Sequence, residues 1–269
     1  TRARKPLPSH RPPDHLGTTE QNDFNPLVQN GHLQTILARF WPPLFDFRRY
    51  PGQACLFITE PGVRVLAWLH QHQIPSISHG VRDTLVIVHG LEGSADASYV
   101  LKTTAIALER GFDVLRLNIR TCGGTEHLSQ KLYHSGLTND LRSVCEQLSN
   151  RRLFIIGFSM GGNMTLKLAG EWEASTPTHI RGACVVSPPI DLSACAHRIG
   201  EKYNRIYERR FLKSLQKKLK KKGWVIPSEV CSKTLWKIRS LIDFDNFFTA
   251  PVFGFQDAVD YYNRASSIH

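Results

Sequence analysis

Hydrophobic and polar positions follow two regimes that change near residue 196. Before that point, short apolar runs alternate with longer stretches of helical period. Ala54 to Thr59 and Val63 to His70 are rich in strand-forming residues and flank Glu60-Pro61-Gly62, a turn sequence, which predicts an antiparallel hairpin. Thr84 to Val88, Asp113 to Asn118, Leu153 to Ile156 and Gly182 to Val186 are compact apolar runs of the kind found in strands buried on both faces. Tyr99 to Arg110, Asn139 to Leu148 and Met160 to Trp172 carry helical patterns between them, with Thr138 placed as an N-cap and Gly111 as a C-cap. This alternation predicts a mostly parallel, doubly wound α/β sheet with right-handed crossovers.

From Ala196 to Phe248 the strand signal stops. Tyr203, Tyr207, Phe211, Leu215 and Leu219 recur every four residues, which predicts an amphipathic helix with a basic outer face. The segment 196–248 is accordingly expected to form a helical lid. Residues 1–20 combine Pro6, Pro8, Pro12 and Pro13 with Arg2, Arg4, Lys5 and Arg11 and predict a disordered arm. The remainder, 21–269, reads as one domain.

The stretch richest in chemistry is Gly157-Phe158-Ser159-Met160-Gly161, which follows an apolar run and precedes a helical pattern free of proline. A serine on so tight a strand-to-helix turn is strained, and a side chain two residues to either side would collide with the neighbouring strand or helix. This is the pattern of a nucleophile elbow, with Gly157 and Gly161 as its support. A glycine-rich turn with an incidental serine is the plainer alternative, and the strand before and helix after weigh against it. Acyl transfer by serine also needs donors for the developing oxyanion. Val88-His89-Gly90-Leu91-Glu92-Gly93-Ser94 follows a strand as an oxyanion loop should, so the backbone N–H groups of Leu91 and Met160 are the expected donors. His89 lies in the first turn of that loop, where bracing the loop with Gly90 is favoured over service as a base.

Composition narrows the alternatives. The formal charge is +11, but Arg209 to Lys222 holds eight basic residues and no acidic one, so this stripe supplies most of the excess. That is a local face and not a nucleic-acid-binding domain. It is either an ordinary solvated face or a patch that meets anionic membrane or acyl-substrate head groups. There is no Gly-x-x-x-x-Gly-Lys-Ser/Thr and no Gly-x-Gly-x-x-Gly, which leaves nucleotide binding without support. Cys55, Cys122, Cys145, Cys184, Cys195 and Cys231 have no metal-ligand spacing and read as reduced thiols, hence a cytoplasmic protein and no metal site.

Several further pieces carry a resemblance from Phe24 onward. They are Asn30-Gly31-His32-Leu33-Gln34-Thr35, the His89 to Ser94 loop, Asn118-Ile119-Arg120 with Cys122-Gly123-Gly124, and Tyr133-His134-Ser135-Gly136. Gly157 to Asn163, Ser187-Pro188-Pro189 and Phe253-Gly254-Phe255 to Tyr261-Tyr262 complete the set. Together they resemble the YheT-like branch of the α/β-hydrolases, the AB hydrolase 4 family. The resemblance implies an α/β-hydrolase fold over 21–269 and a serine esterase or lipase acting on short to medium acyl esters, with no cofactor. It implies Ser159 as nucleophile and a structural role for His134. Thr121 stands where the family usually has glycine, and Met160 where leucine is usual. In the family the acid lies in an Asp-Asp-Pro-like segment and the base in a Gly-Gly-His-like segment, neither of which occurs here. The expectation is therefore a hydrolase domain that is incomplete at its C-terminal end, with its last strands missing. Asp191 is the weak candidate for the acid, since Asp-Leu after Ser-Pro-Pro also suits a helix start. The alternative class is a non-catalytic fragment of this fold serving as a binding module.

Overall fold

The computed structural model describes residues 28–40, 45–73, 77–78, 80–220 and 237–269. The expected arm at 1–20 and the basic residues Lys221 and Lys222 lie outside them. Helix α1 (Gly31–Phe40) starts from Asn30, whose Oδ1 accepts hydrogen bonds from the N–H groups of His32 and Leu33 at 3.0 and 3.1 Å.

Strands β1 (Gln53–Glu60) and β2 (Val63–His70) form the predicted hairpin, turning at Gly62 with φ +75°. They are followed by the two-residue β3 (Ile77–Ser78), β4 (Val81–Val88), β5 (Asp113–Leu117), β6 (Arg152–Phe158) and β7 (Ile180–Val186). The main sheet runs β1-β2-β5-β4-β6-β7, and β3 pairs with β4. From β5 to β7 every neighbouring pair is parallel, while β1 to β2 and β2 to β5 are antiparallel. Helices α2 (Ser98–Glu109), α3 (Asn139–Gln147) and α4 (Met160–Trp172) are the crossovers.

Alternation along the strands supplies both faces of the sheet. Val86 and Val88 pack with Leu141 and Val144 of α3 and with Met164 and Leu168 of α4. Their neighbour Ile87 packs on the other face, with Val100 and Leu108 of α2. Thr138 occupies the N-cap position of α3 without capping it, because its hydroxyl donates to Glu171 Oε2 at 2.6 Å. Strand β7 departs from the expected burial on both faces. Among the described residues it pairs only with β6, and Arg181 to Cys184 are exposed.

Among the described residues the region after β7 is helical, over a wider span than the expected 196–248. It comprises α5 (Leu192–Gly200), α6 (Arg205–Leu219), α7 (Leu241–Phe244), a π-helical turn (Asp245–Thr249), α8 (Ala250–Phe253) and α9 (Ala258–Ala265). The apolar face of α6 differs from the four-residue repeat. Tyr203 precedes the helix and is exposed, and the buried positions are Glu208, Leu212, Leu215, Lys218 and Leu219. A four-residue step advances 400° on a helix of 3.6 residues per turn, so the repeat drifts about 40° per step off the core-facing side. The basic stripe is corrected by the same geometry: Lys213, Lys217 and Lys220 are exposed, while Lys218 is buried.

Candidate active site

Strand β6 ends at Phe158 and α4 begins at Met160, leaving Ser159 alone to reverse the chain. It does so at φ +50° and ψ −122°, a conformation rarely tolerated outside glycine. Its N–H donates to the Val186 carbonyl of β7 at 2.9 Å, and its carbonyl accepts the N–H groups of Gly162 and Asn163 at 2.8 and 3.1 Å. The strained residue is thus held between a strand and the first turn of a helix, and its side chain stands exposed. The flanking glycines follow from space. A Cβ on Gly157 would lie 2.4 Å from the Gly161 carbonyl oxygen, and one on Gly161 would lie 2.4 Å from that of His89.

The loop after β4 passes beside this turn. His89 is wholly buried; its Nδ1–H donates to the Gly90 carbonyl at 2.7 Å, and its Nε2 accepts the Ile119 N–H at 3.1 Å. Both ring nitrogens are therefore engaged, and burial lowers the imidazole to about 4. Gly90 donates its N–H to the Tyr99 hydroxyl at 2.9 Å. Leu91 and Met160 line the same cavity as Ser159, and among the described residues neither of their N–H groups is given to another protein atom.

Glu92, at φ +52°, fixes the far side of the loop. Its Oε1 accepts from the Tyr133 hydroxyl and from Lys218 Nζ, each at 2.6 Å, and its Oε2 accepts from Ser214. Its own N–H donates to the Tyr133 oxygen at 3.3 Å. Both charged side chains are nearly sealed from solvent, at 9% and 5% exposure for Lys218 and Glu92. Lys218 also lies over the Tyr133 ring and 3.3 Å from Cys122 Sγ. Burial lowers the Lys218 ammonium, yet the contacts with Cys122 and Glu92 outweigh it and hold the group above its ordinary value. Glu92 is the partner that matters near neutral pH, since burial pushes the Cys122 thiol up to about 11.

The opposite wall comes from the Tyr133–Gly136 segment and the helices after β7. His134 lies within 6 Å of the rings of Phe253, Phe255 and Tyr261, and its Nδ1 accepts the Gly136 N–H at 3.2 Å. Burial, with the nearby Arg120, lowers it to about 4. Asp245 also lines the cavity; Thr249 and Tyr262 donate to its two oxygens at 2.7 and 2.8 Å, and burial pushes its carboxyl up to about 6. Buried Asn163 ties the walls together, donating to the carbonyls of Ser135 and Ala265 and accepting the Ser267 N–H.

The cavity has a volume of about 140 Å³. The structure brings Ser159, Leu91 and Met160 to it, with His89 and Gly90 behind the loop. Asp191 is elsewhere occupied, as the N-cap of α5, accepting the Ala194 N–H at 2.9 Å. Among the described residues no imidazole is hydrogen-bonded to the Ser159 hydroxyl. Sequence reading missed Glu92, Lys218 and Asp245. Lys218 was hidden in a run of lysines, and only its place on the apolar side of α6 marks it.

A profile of the alpha/beta hydrolase fold matches residues 83–222, just over half of the chain. The putative esterase YheT of Escherichia coli is 29% identical over 267 residues, which cover 94% of this chain and 76% of that protein. The monoacylglycerol lipase of Saccharomyces cerevisiae is 32% identical over 71% of this chain and 44% of its own length. The mouse phospholipase ABHD3 is 27% identical over 71% of this chain and 47% of its own length. The chain thus spans about half the length of the last two. With the sheet order and the elbow on β6, these matches settle membership: the chain belongs to the α/β-hydrolase fold family, among relatives that are esterases, lipases and phospholipases.

Proposed function

We propose that this protein is a serine carboxylesterase of the lipase type, with Ser159 as nucleophile and the Leu91 and Met160 N–H groups as oxyanion donors. The observation that carries the reading is the exposed Ser159 at φ +50°, alone between β6 and α4, facing a cavity that Leu91 and Met160 also line. Attack by Ser159 Oγ on an ester carbonyl would form the acyl–oxygen bond and place negative charge on the carbonyl oxygen. Two preorganised N–H groups there stabilise that charge. Collapse would break the bond to the alcohol oxygen, which leaves carrying the proton given up by Ser159 Oγ, and attack by water on the acyl-enzyme would release the acid and return a proton to Ser159.

The cavity supports short to medium acyl chains. Its roughly 140 Å³ is close to the size of a cavity that admits a benzene-sized molecule, hence a chain of about six carbons. Leu192, Ile199, Phe211, Leu215 and Phe244 give it apolar walls, and the helices that carry them are read as a lid. The described cysteines are free thiols, which supports a reducing compartment. No described helix is long and apolar enough to cross a membrane.

The test is made in the whole protein. A fluorophosphonate probe should label Ser159, and Ser159→Ala should lose both labelling and hydrolysis of p-nitrophenyl butyrate, with turnover down at least about a thousandfold. Hydrolysis retained in the alanine variant excludes Ser159 as nucleophile. A folded wild-type protein that neither labels nor hydrolyses points to the binding-module alternative.

A further inference from the structure

A second cavity, of about 430 Å³, lies among the helices after β7. None of Ser159, Leu91 and Met160 lines it. Its walls are α5, the first two turns of α6 and the segment from Arg239 to Ile242. Three arginines meet there, Arg205 and Arg209 from α6 and Arg239 from across the cavity. Arg205 and Arg209 are four residues apart, so they share one helix face and repel each other. Among the described residues none of the three guanidinium groups is paired with a carboxylate. Glu208 is the one acid among the described residues of the wall, and its Oε1 accepts the Leu241 N–H at 3.1 Å. Arg198, which follows the wall residue His197 on α5, is paired with Glu201 at 2.7 Å and so does not share the excess.

Three unpaired cations around one concave space favour an anion with oxygens enough to meet them all. Guanidinium forks match carboxylate and phosphate oxygens in pairs. A carboxylate offers two oxygens and one charge, which would leave at least one fork unmatched. A phosphate offers more oxygens and up to two charges. We propose that this cavity binds a phosphate group, carried either by a lipid headgroup or by a soluble phosphate ester. Ala196 lines both this cavity and that of Ser159, so the phosphate would sit across α5 from the ester site. The proposal goes beyond the esterase reading and does not depend on it.

Two arms separate the sources. Glycerol 3-phosphate binding is measured by calorimetry, and sedimentation is measured with phosphatidylcholine vesicles made with and without phosphatidate. The wild-type chain should bind at least one probe, and Arg205→Gln/Arg209→Gln/Arg239→Gln should weaken that binding at least about tenfold. Because the three side chains are exposed, the triple variant should keep its melting temperature; Arg239→Gln alone, expected to weaken binding severalfold, serves as the milder second variant. Lys213→Gln/Lys217→Gln, on exposed parts of α6 outside the cavity, should bind as wild type does. Ser159→Ala should also bind as wild type does, which separates failure here from failure of the esterase reading. Binding to glycerol 3-phosphate alone assigns the soluble ester, and binding to phosphatidate vesicles alone assigns the headgroup. No binding to either probe, full binding by the arginine variants, or an equal loss in the lysine variant would overturn the proposal.

Discussion

The two walls of the Ser159 cavity are held by different physics. On the sheet side, position is set by the backbone: Ser159 is pinned by the Val186 carbonyl, and Gly157 and Gly161 leave no room for a Cβ. On the helical side, position is set by side chains far apart in sequence. Lys218 and Ser214 reach Glu92 across 126 and 122 residues, and Tyr261 reaches Ser135 across 126. A backbone wall is as rigid as the sheet it belongs to. A side-chain wall exists only while its helix is docked, so the placement of Glu92, next to Leu91, depends on α6 in a way that Ser159 does not.

The largest effect expected from this contrast is on the sheet side. Gly161→Ala would place its Cβ 2.4 Å from the His89 carbonyl oxygen and 2.6 Å from that of Val88. Neither strand end can retreat without breaking the sheet, so a loss of about 4 kcal/mol or more is expected in urea unfolding. A loss below about 1 kcal/mol would show that the elbow has slack and that the backbone wall is not rigid.

On the helical side the effect is nearly as large but reversible by design. Lys218→Met leaves Glu92 buried without its cation and should cost about 3 kcal/mol or more. The double variant Lys218→Met/Glu92→Gln removes both charges and should recover most of that loss, since Tyr133 and Ser214 can still bond to the amide. Additive losses in the double-mutant cycle would mean that the two side chains are not coupled, and the contrast between the walls would fail.

This difference also explains what the sequence made legible. The strand-to-helix turn at Ser159, the glycine-bearing loop after β4 and the hairpin are local: each requires particular residue types within about ten positions, so the letters around Ser159 and Gly62 announce them. The helical wall is non-local. Only its place on the apolar side of α6 sets Lys218 apart from Lys217, Lys220 and their neighbours, and its partner comes from a loop three strands earlier. Strand β7 is a related case. Its apolar run states what the strand could bury, and the exposure of Arg181 to Cys184 depends on what packs there. Asp245 shows the same limit, since its burial follows from the meeting of α7, the π-helical turn and α9.

Asp245 gives the next effect, and its sign can be worked out. Burial raises its carboxyl from 3.8 to about 6, so the folded state holds a proton that the unfolded state releases. Its stabilising contribution is present below about pH 4 and is lost as pH rises through about 6. His89 and His134, lowered to about 4 by burial, act oppositely and lose stability as pH falls through the same window. Comparison with Asp245→Asn cancels the histidines. From about pH 4 to pH 7 the asparagine variant should gain on wild type by about 3 kcal/mol, the value of a two-unit shift. Denaturation curves across that range giving a flat difference would mean that Asp245 titrates normally and that the helical wall is wetter than its packing indicates.

The smallest effect lies back on the sheet side, in the turn after β5, where the chain keeps a strained β-branched residue two positions before Gly123. Thr121 sits at φ +62°, is almost fully buried, and has a hydroxyl with no hydrogen-bond partner among the described residues. A β-branched residue in the left-handed region costs about 1–3 kcal/mol, and an unpartnered buried hydroxyl adds to that. Thr121→Gly removes both, against about 0.5–1 kcal/mol for the greater freedom of glycine in the unfolded chain and a similar loss for the buried methyl. The balance favours glycine by about 1 kcal/mol, a rise in melting temperature of about 2–4 °C for a chain of this size. Thr121→Ala divides the causes, because it deletes the hydroxyl and keeps the Cβ in its strained place. If alanine captures the whole gain, the unpartnered hydroxyl is the burden; if glycine alone does, the backbone is, and the rule drawn from Ser159 extends to a second turn on the same sheet.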